Sequence, residues 1–487
     1  MSATNRRVVF IAAIALLPSC AVGPKFVRPE PPKEGRYLAD TENRELTADG
    51  KSQRFIPSDK LAADWWRMFH CAPLDAIVED AIFRSPKMDA AQAGLQESQA
   101  SLRAGYGIFF PQIDADVSAS RQQYSPQRLG QKLPSSVFNL FTLSASVSYA
   151  IDIWGGQRRA VEKLRAQMNQ QRYAVIATYL MLSGNVVNTV IALAAYRDEI
   201  AATKELIALT EDQLRITAVQ ASSGTVPYVN VLSIKSQIAS LRSILPPLEQ
   251  KMDQAEHLLA TLTGRTPAEL HLPPIALADL TLPADLPVSL PSQMVRQRPD
   301  ILVAEEQLHA NNAAIGVATA AMLPSITLSG SYGVNNTSIA NLFTPASLFG
   351  SIVGGLVAPL FQGGTLWYQR KAAIAARDMA LANYRETVLE AFAQIADTLR
   401  GLDNDAQALT AQSESVAAAA DALKLIQIAY QTGIANYLQV LIADEQYHQA
   451  KIAYIQTQAQ RYQDTVALFV ALGGGWWNAS KPIDASH

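Results

Sequence analysis

The period of the apolar positions changes in a fixed order along the chain. Over 74–109, and again over a shorter stretch at 298–322, the spacing predicts a helix. The two patterns stop at Pro111 and Pro324, as helices usually end before proline. Strict alternation follows. Ile113, Ala115, Val117 and Ala119 alternate with polar residues, and so do Phe141, Leu143, Ala145, Val147 and Tyr149. Each run reads as a strand. The second half predicts strands at about 325–334 and 347–361, with connecting loops 125–137 and 335–346 rich in turn formers. A Gly-Gly bend (Gly155-Gly156, Gly363-Gly364) then opens a very long helix, 157–221 or 365–431. A turn at Gly224 or Gly433 leads into a return helix ending near Gly264 or Gly473. Pro246-Pro247 should kink or break the first return helix; the second has Ile455-Gln456 there.

The chain is therefore written twice. Residues 86–118 align with 299–331 without a gap, pairing Pro86 with Pro299, Ala91 with Ala304, Leu95 with Leu308 and Pro111 with Pro324. Gly224 to Leu232 aligns with Gly433 to Leu441. The period is too long for a solenoid and marks a duplicated, domain-sized unit. The expected divisions are 1–19, a signal peptide; 20–73, a lipid-anchored segment; 74–272, the first repeat; 273–297, a proline-marked linker; 298–475, the second repeat; and 476–487, a tail.

Lengths constrain the architecture. A helix of about 66 residues spans roughly 100 Å, a return helix of about 38 roughly 57 Å, and the first helix of the half adds roughly 50 Å. The two shorter helices, end to end, match the long one, as in a wall of side-by-side helices. Strands of about twelve residues, tilted, cover the hydrocarbon layer of a bilayer. Four strands cannot close a membrane barrel, whose smallest form has about eight, and open edges are not tolerated in lipid. Insertion thus requires oligomerisation. The alternative is a soluble β-sandwich carrying a coiled-coil arm.

Composition narrows the function classes. Lys and Arg number 40 against 43 Asp and Glu, so no basic excess suggests a nucleic-acid partner. Hydrophobic residues make up 49% and charged residues 17%, yet no run is expected to reach the ~18 apolar residues of a spanning helix. The two cysteines, Cys20 and Cys71, exclude a disulfide framework, and the six histidines lack metal-ligand spacing. No phosphate-loop, zinc-protease or nucleophile-elbow motif is present. No catalytic residue, metal or cofactor is expected. Gly473-Gly474-Gly475 reads as a helix terminus, Arg298 and Asp300 as capping residues around Pro299, and Trp476 and Trp477 as packing residues.

Arg6 and Arg7 precede an apolar run from Val8 to Leu17, the pattern of a secretory signal. Leu17-Pro18-Ser19-Cys20 resembles a bacterial lipobox, making Cys20 the acylated first residue of the mature chain. Ala21 follows it, and the absence of Asp there favours the outer membrane.

Four blocks resemble the outer-membrane efflux family, the TolC-like channels, and particularly its lipoprotein branch of multidrug-efflux channels. They are Cys20 to Pro29; Asp64-Trp65-Trp66-Arg67-Met68-Phe69; Arg298-Pro299-Asp300-Ile301 through Leu323-Pro324-Ser325-Ile326; and Tyr430-Gln431-Thr432-Gly433 through Leu472-Gly473-Gly474-Gly475-Trp476. The resemblance implies a mixed α and β fold: a homotrimeric outer-membrane β-barrel, four strands per chain, continued by a long periplasmic α-helical barrel. It implies a passive exit duct for small molecules, partnered by a periplasmic adaptor (membrane fusion protein), an inner-membrane efflux pump and outer-membrane lipid. The competing readings are the outer component of a protein-secretion system and a non-channel periplasmic scaffold lipoprotein. The resemblance assigns Gly224, Val226, Tyr228, Gly433, Ala435 and Tyr437 to the tip that receives the adaptor. Family members often carry aspartate six residues past each glycine, where this chain has Asn230 and Gln439. An amide-and-tyrosine latch of Gln439 and Tyr430 is therefore expected in place of an acidic ring. Asn230, Gln439, Tyr430 and Asp444 are the expected aperture and gate residues; the alternative for Asp444, about 140° round the helix from Gln439, is to face a neighbouring helix.

Overall fold

The computed structural model describes residues 21–32, 35–38, 45–58, 60–125, 134–479 and 483. The expected signal peptide, Cys20, loop residues 126–133 and most of the tail after 479 lie outside the described residues.

In chain order, strands β1 (Glu45–Ala48) and β2 (Lys51–Pro57) precede a 3-10 turn at Trp65–Phe69. Helices α1 (Ala72–Arg84) and α2 (Pro86–Tyr106) lead to strands β3 (Gln112–Tyr124) and β4 (Ser136–Ile151). A helical hairpin of α3 (Gly156–Ser222) and α4 (Tyr228–Leu262) closes the first half. Strand β5 (Asp285–Val288) lies between the halves. The second half repeats the order with α5 (Pro291–Gln297), α6 (Pro299–Ala320), β6 (Ser325–Asn336), β7 (Leu348–Val357), α7 (Thr365–Gln431) and α8 (Tyr437–Ala471). Both long helices have 67 residues and both return helices 35.

Three sequence expectations need correction. The helix expected over 74–109 is two helices, broken at Ser85, and the second copy is broken at Arg298. Both breaks precede a proline of the repeat, and both residues are extended, with ψ of 122° and 124°. Proline disfavours the helical conformation in the residue before it. By contrast, α4 runs unbroken through Pro246 and Pro247. Both prolines are exposed, so the carbonyls they orphan meet water, while buried Leu241 and Leu248 hold the helix on either side. Finally, α3 does contain a window long and apolar enough to cross a membrane. Most of that window is buried in the chain itself, with Val186, Val187, Val190 and Ile191 at most 1% exposed.

The described residues form two compact units. The first comprises residues up to 29, 96–170 and 304–384. It holds one antiparallel sheet in the order β3-β4-β6-β7. The β4–β6 ladder joins the hairpins of the two repeats, pairing Ala145 with Tyr332 and Ile151 with Ile326.

The second unit comprises 30–95, 171–303 and the residues from 385 onward. Its core is aromatic. Trp65 lies 5.6 Å from Phe469, and Phe69 lies 6.2 Å from Tyr462. All four rings are at most 2% exposed, and each such ring buries about 150–250 Å². A small sheet, β1-β2-β5, was not legible in the sequence; β2 pairs β5 in parallel from Arg54–Asp285 to Pro57–Val288. The segment expected as a plain linker thus supplies a strand.

Candidate functional site

The four-stranded sheet has two unlike faces. One carries Ile113, Ala115, Val117 and Ala119, paired with Val147, Ala145, Leu143 and Phe141. The same face continues through Leu328, Tyr332 and Val334 to Leu348, Ile352 and Leu356. The other carries Asp114, Asp116 and Ser118 opposite Ser146, Ser144 and Thr142, then Ser329 and Ser331. Its apolar exceptions lie in β4 (Phe138, Leu140, Ala150) and β7 (Phe349, Val353, Val357). Every residue of β3 is exposed, and Val117 and Ile352 are 79% and 86% exposed. Among the described residues nothing covers the apolar face. Among the described residues the outer strands, β3 and β7, each have one partner, leaving a row of unpaired backbone groups along each edge.

The opening block, Ala21 to Pro29, is a strap laid on the helices of this unit. The Val22 amide donates to the Trp154 carbonyl at 2.9 Å. The Arg159 guanidinium donates to the carbonyls of Val22 at 3.1 Å and Gly23 at 3.3 Å. Asn312 Nδ2 donates to the Pro24 carbonyl at 3.0 Å. Gly23 has φ +91°, and a Cβ there would stand 2.6 Å from the Gly316 Cα, so glycine is required on both sides of the approach. Phe26 stacks on His309 at 4.3 Å, and Arg28 pairs with the buried Glu305 at 2.5 Å. His309 also faces Glu162 at 3.1 Å and Glu306 at 3.3 Å. The hydrogen bond to Glu306, ahead of that to Glu162, raises its pKa, so acid strengthens the clamp. Cys20, the expected lipid attachment, lies outside the described residues. Its neighbour Ala21 lies against Gly155, where β4 gives way to α3.

The hairpin turns are alike in backbone. Gly224 and Gly433 have φ of 72° and 76°, the left-handed conformation that ends a helix. The next amides, of Thr225 and Ile434, reach back to the carbonyls of Gln220 at 2.9 Å and Ala429 at 2.8 Å. The side chains differ. Tyr228 is 62% exposed, whereas Tyr437 is 4% exposed. Tyr437 therefore lies inside its hairpin and not on the surface expected for an adaptor contact. Val226 and Ala435 are half-buried. The exposed apolar residues here are Val229, Leu232, Ile434, Leu438 and Ile442, which sequence reasoning did not select.

The expected latch is not formed as drawn. Gln439 is held in a capping box: its Oε1 accepts from the Asn436 amide at 2.9 Å, and its amide donates to Asn436 Oδ1 at 3.1 Å. A side chain used this way caps α8 and cannot reach across helices. The Tyr430 ring meets Tyr437 at 5.9 Å, but its hydroxyl has no hydrogen-bond partner among the described residues. Asn230 is half-buried beside the other turn. Asp444, expected among the aperture and gate residues, is buried against α4, where it bonds to Gln237. Gln237 Oε1 also accepts from the Tyr437 hydroxyl at 3.1 Å. Burial pushes the Asp444 carboxyl up to about 6, against the Gln237 bond that lowers it. The polar centre of the tip is thus Asp444–Gln237–Tyr437, surrounded by Ile234, Ile238 and Val440. Gln237 carries no sequence signal, being one amide in a helical run.

Two arginines also do more than the sequence suggested. Arg298 pairs with Asp300 at 2.6 Å, and also donates to the Ala471 carbonyl at 2.8 Å and Gln394 at 2.9 Å. It caps the C-terminus of α8, an end rich in unpaired carbonyls. Arg461, 1% exposed, donates to Gln53 at 2.9 Å and the Leu46 carbonyl at 3.0 Å, locking the small sheet. Nearby, burial and the adjoining Asp464 carboxyl hold Asp405 above the usual carboxylate range. Cys71 is a buried thiol whose pKa burial raises.

The same architecture occurs in known proteins. The family model described as outer membrane efflux protein matches this chain over residues 77–265 and again over 290–474. The pyoverdine export outer membrane protein OpmQ of Pseudomonas aeruginosa is 30% identical over 472 residues, covering 96% of each chain. The probable outer membrane lipoprotein SilC of Salmonella typhimurium is 25% identical over 96% of this chain and 99% of its own. The outer membrane channel CmeC of Campylobacter jejuni superposes with a TM-score of 0.85 over 95% of this chain and 97% of its own, at 20% identity. A mixed helix and sheet fold, a doubled family match and near-complete coverage by outer-membrane relatives agree: this chain belongs to the outer membrane efflux protein family.

Proposed function

We propose that three copies of this chain join their β3 and β7 edges into one twelve-stranded barrel, and that the barrel is the outer-membrane exit duct of a tripartite efflux system. The sheet carries the argument. An apolar face with no cover, a hydroxyl- and carboxylate-bearing face behind it, and two open edges form one sector of a lipid-embedded cylinder with a wet lumen. In lipid each unpaired backbone group costs several kcal/mol, so the edges must be closed by further copies. The long helices continue the duct on the periplasmic side.

The remaining roles follow from that reading. Acyl chains on Cys20 enter the membrane where the strap begins, at the junction of sheet and helices. The turns at Gly224 and Gly433, with Val226, Tyr228 and Ala435, receive a periplasmic adaptor that links the duct to an inner-membrane pump. Tyr437, Tyr430 and Asp444 hold the tip's interior, and Gln439 and Asn230 shape its turns. The working parts are the anchored segment 20–73, repeats 74–272 and 298–475, and the linker 273–297. The duct performs no catalysis: cargo moves by the pump's energy, and the proposed cargo is small molecules. Purified mature protein should run as a heat-sensitive trimer on gels and give discrete conductance steps in planar bilayers. A monomer that never conducts would refute the duct.

A further inference from the structure

The junction between sheet and helix is built differently in the two repeats. In the first, Arg158 pairs with Asp152 at 3.2 Å. Arg159, 4% exposed, pairs with Glu162 at 2.7 Å and is covered by the strap. Every guanidinium there has a counter-charge inside the chain. In the second, the aligned Gly-Gly pair places Trp367 where the first repeat has Arg159, and Tyr368 where it has Ala160. Among the described residues no strap lies on these rings. Leu360 and Phe361, just past β7, are 95% and 87% exposed. Trp367 and Tyr368 are 49% and 66% exposed. Lys371 Nζ stands 5.5 Å from the Trp367 centroid and 5.8 Å from that of Tyr368. Among the described residues Lys371 forms no ion pair.

We propose that this junction docks the phosphate of an anionic phospholipid headgroup, with Lys371 as its cation and Trp367 and Tyr368 flanking it. The proposal rests on the reading of the sheet as membrane-embedded. The exposed apolar face of β6 and β7 leads along the chain into this junction, so on that reading the junction lies where hydrocarbon gives way to headgroups. Tryptophan and tyrosine favour that boundary because their rings are apolar and their edges polar. Two rings hold the ammonium in place but leave its charge uncompensated, and cation–π contact strengthens as water is withdrawn. A phosphate ester supplies the missing counter-charge; a neutral or zwitterionic surface does so poorly.

The test uses the full acylated protein in phosphatidylcholine vesicles, titrated with brominated phosphatidylglycerol or brominated phosphatidylcholine. The chain has six tryptophans, so the Trp367 signal is the difference between wild type and W367F. Brominated phosphatidylglycerol should quench that signal at about fivefold lower mole fraction, the gain of one lysine at an anionic surface. K371Q should bring the two lipids to parity and K371R should keep the preference. Equal quenching by both lipids in the wild type, or an undiminished preference in K371Q, overturns the site. Absence of quenching by either lipid also overturns it, placing Trp367 against another copy of the chain. If W367F loses its heat-sensitive oligomer, W367Y supplies the same subtraction. Planar-bilayer conductance is read in parallel. A protein that conducts without lipid preference refutes this site alone, whereas one that neither conducts nor is quenched refutes the membrane reading beneath it.

Discussion

The hairpins α3–α4 and α7–α8 have the same lengths and the same left-handed glycine turn, yet bury different things. Helix α8 buries Tyr437, Asp444, Arg461, Tyr462 and Phe469. Helix α4 buries only aliphatic side chains and alanine. At matched positions Phe469 stands against Ala260, Asp444 against Lys235 and Tyr437 against Tyr228. Helix α8 begins with a capping box, whereas Pro227 gives α4 no side-chain cap. Duplication preserved the backbone path, which turn chemistry and helix length dictate. The faces diverged because the second return helix packs on the Trp65–Phe69 turn and the small sheet, and a copy of that surroundings does not exist for the first.

Six substitutions probe this contrast, all read by urea unfolding of the purified protein. Phe469→Ala, which installs the residue found at 260, should cost about 3–5 kcal/mol through the cavity it opens beneath Trp65 and Phe69. A cost under about 1 kcal/mol would mean the aromatic core is not what separates the hairpins.

Asp444→Asn tests the buried carboxyl. Its folded pKa of about 6 lies above its ordinary value. The folded hairpin thus binds the proton more tightly than the unfolded chain, and wild-type stability should fall as pH rises from about 4 to about 6. Asp444→Asn should abolish that slope and add up to about 2 kcal/mol at neutral pH. An unchanged slope would place the titration elsewhere.

Gly224→Ala and Gly433→Ala should each cost about 1–2 kcal/mol, purely from left-handed strain, since a Cβ at either meets nothing within 4 Å. Unequal costs would show that the two turns are not equivalent. Tyr437→Phe should cost about 1 kcal/mol by removing the bond to Gln237, and Tyr228→Phe should cost nothing measurable. A loss at Tyr228 equal to that at Tyr437 would erase the difference between the tips.

Much of the fold was legible because it is local. The alternation of Ile113 to Ala119 and Phe141 to Tyr149 located β3 and β4. The Gly-Gly bends located the starts of α3 and α7, and Pro86, aligned with Pro299, marks the break at Ser85 by the same rule that starts the second copy's helix at 299. The small sheet was not legible, because β2 and β5 lie more than two hundred residues apart and neither is long enough to show a period. The tip was half legible. Glycine announces a turn, and Asn436 three residues before Gln439 is the sequence pattern of a capping box, but the burial of Tyr437 and its bond to Gln237 depend on a helix some two hundred residues away.

What the residues decide unaided is therefore periodicity and punctuation: where helices run, where strands alternate, where glycine turns the chain, and that it does so twice. These depend on neighbours a few positions away. Tertiary structure alone decided which of two aligned tyrosines is buried, that Gln237 bridges Tyr437 and Asp444, that Arg461 locks a sheet, and that the first repeat's junction lies under the N-terminal strap. Burial and hydrogen-bond partnership depend on groups brought together from distant parts of the chain, and no local pattern encodes them.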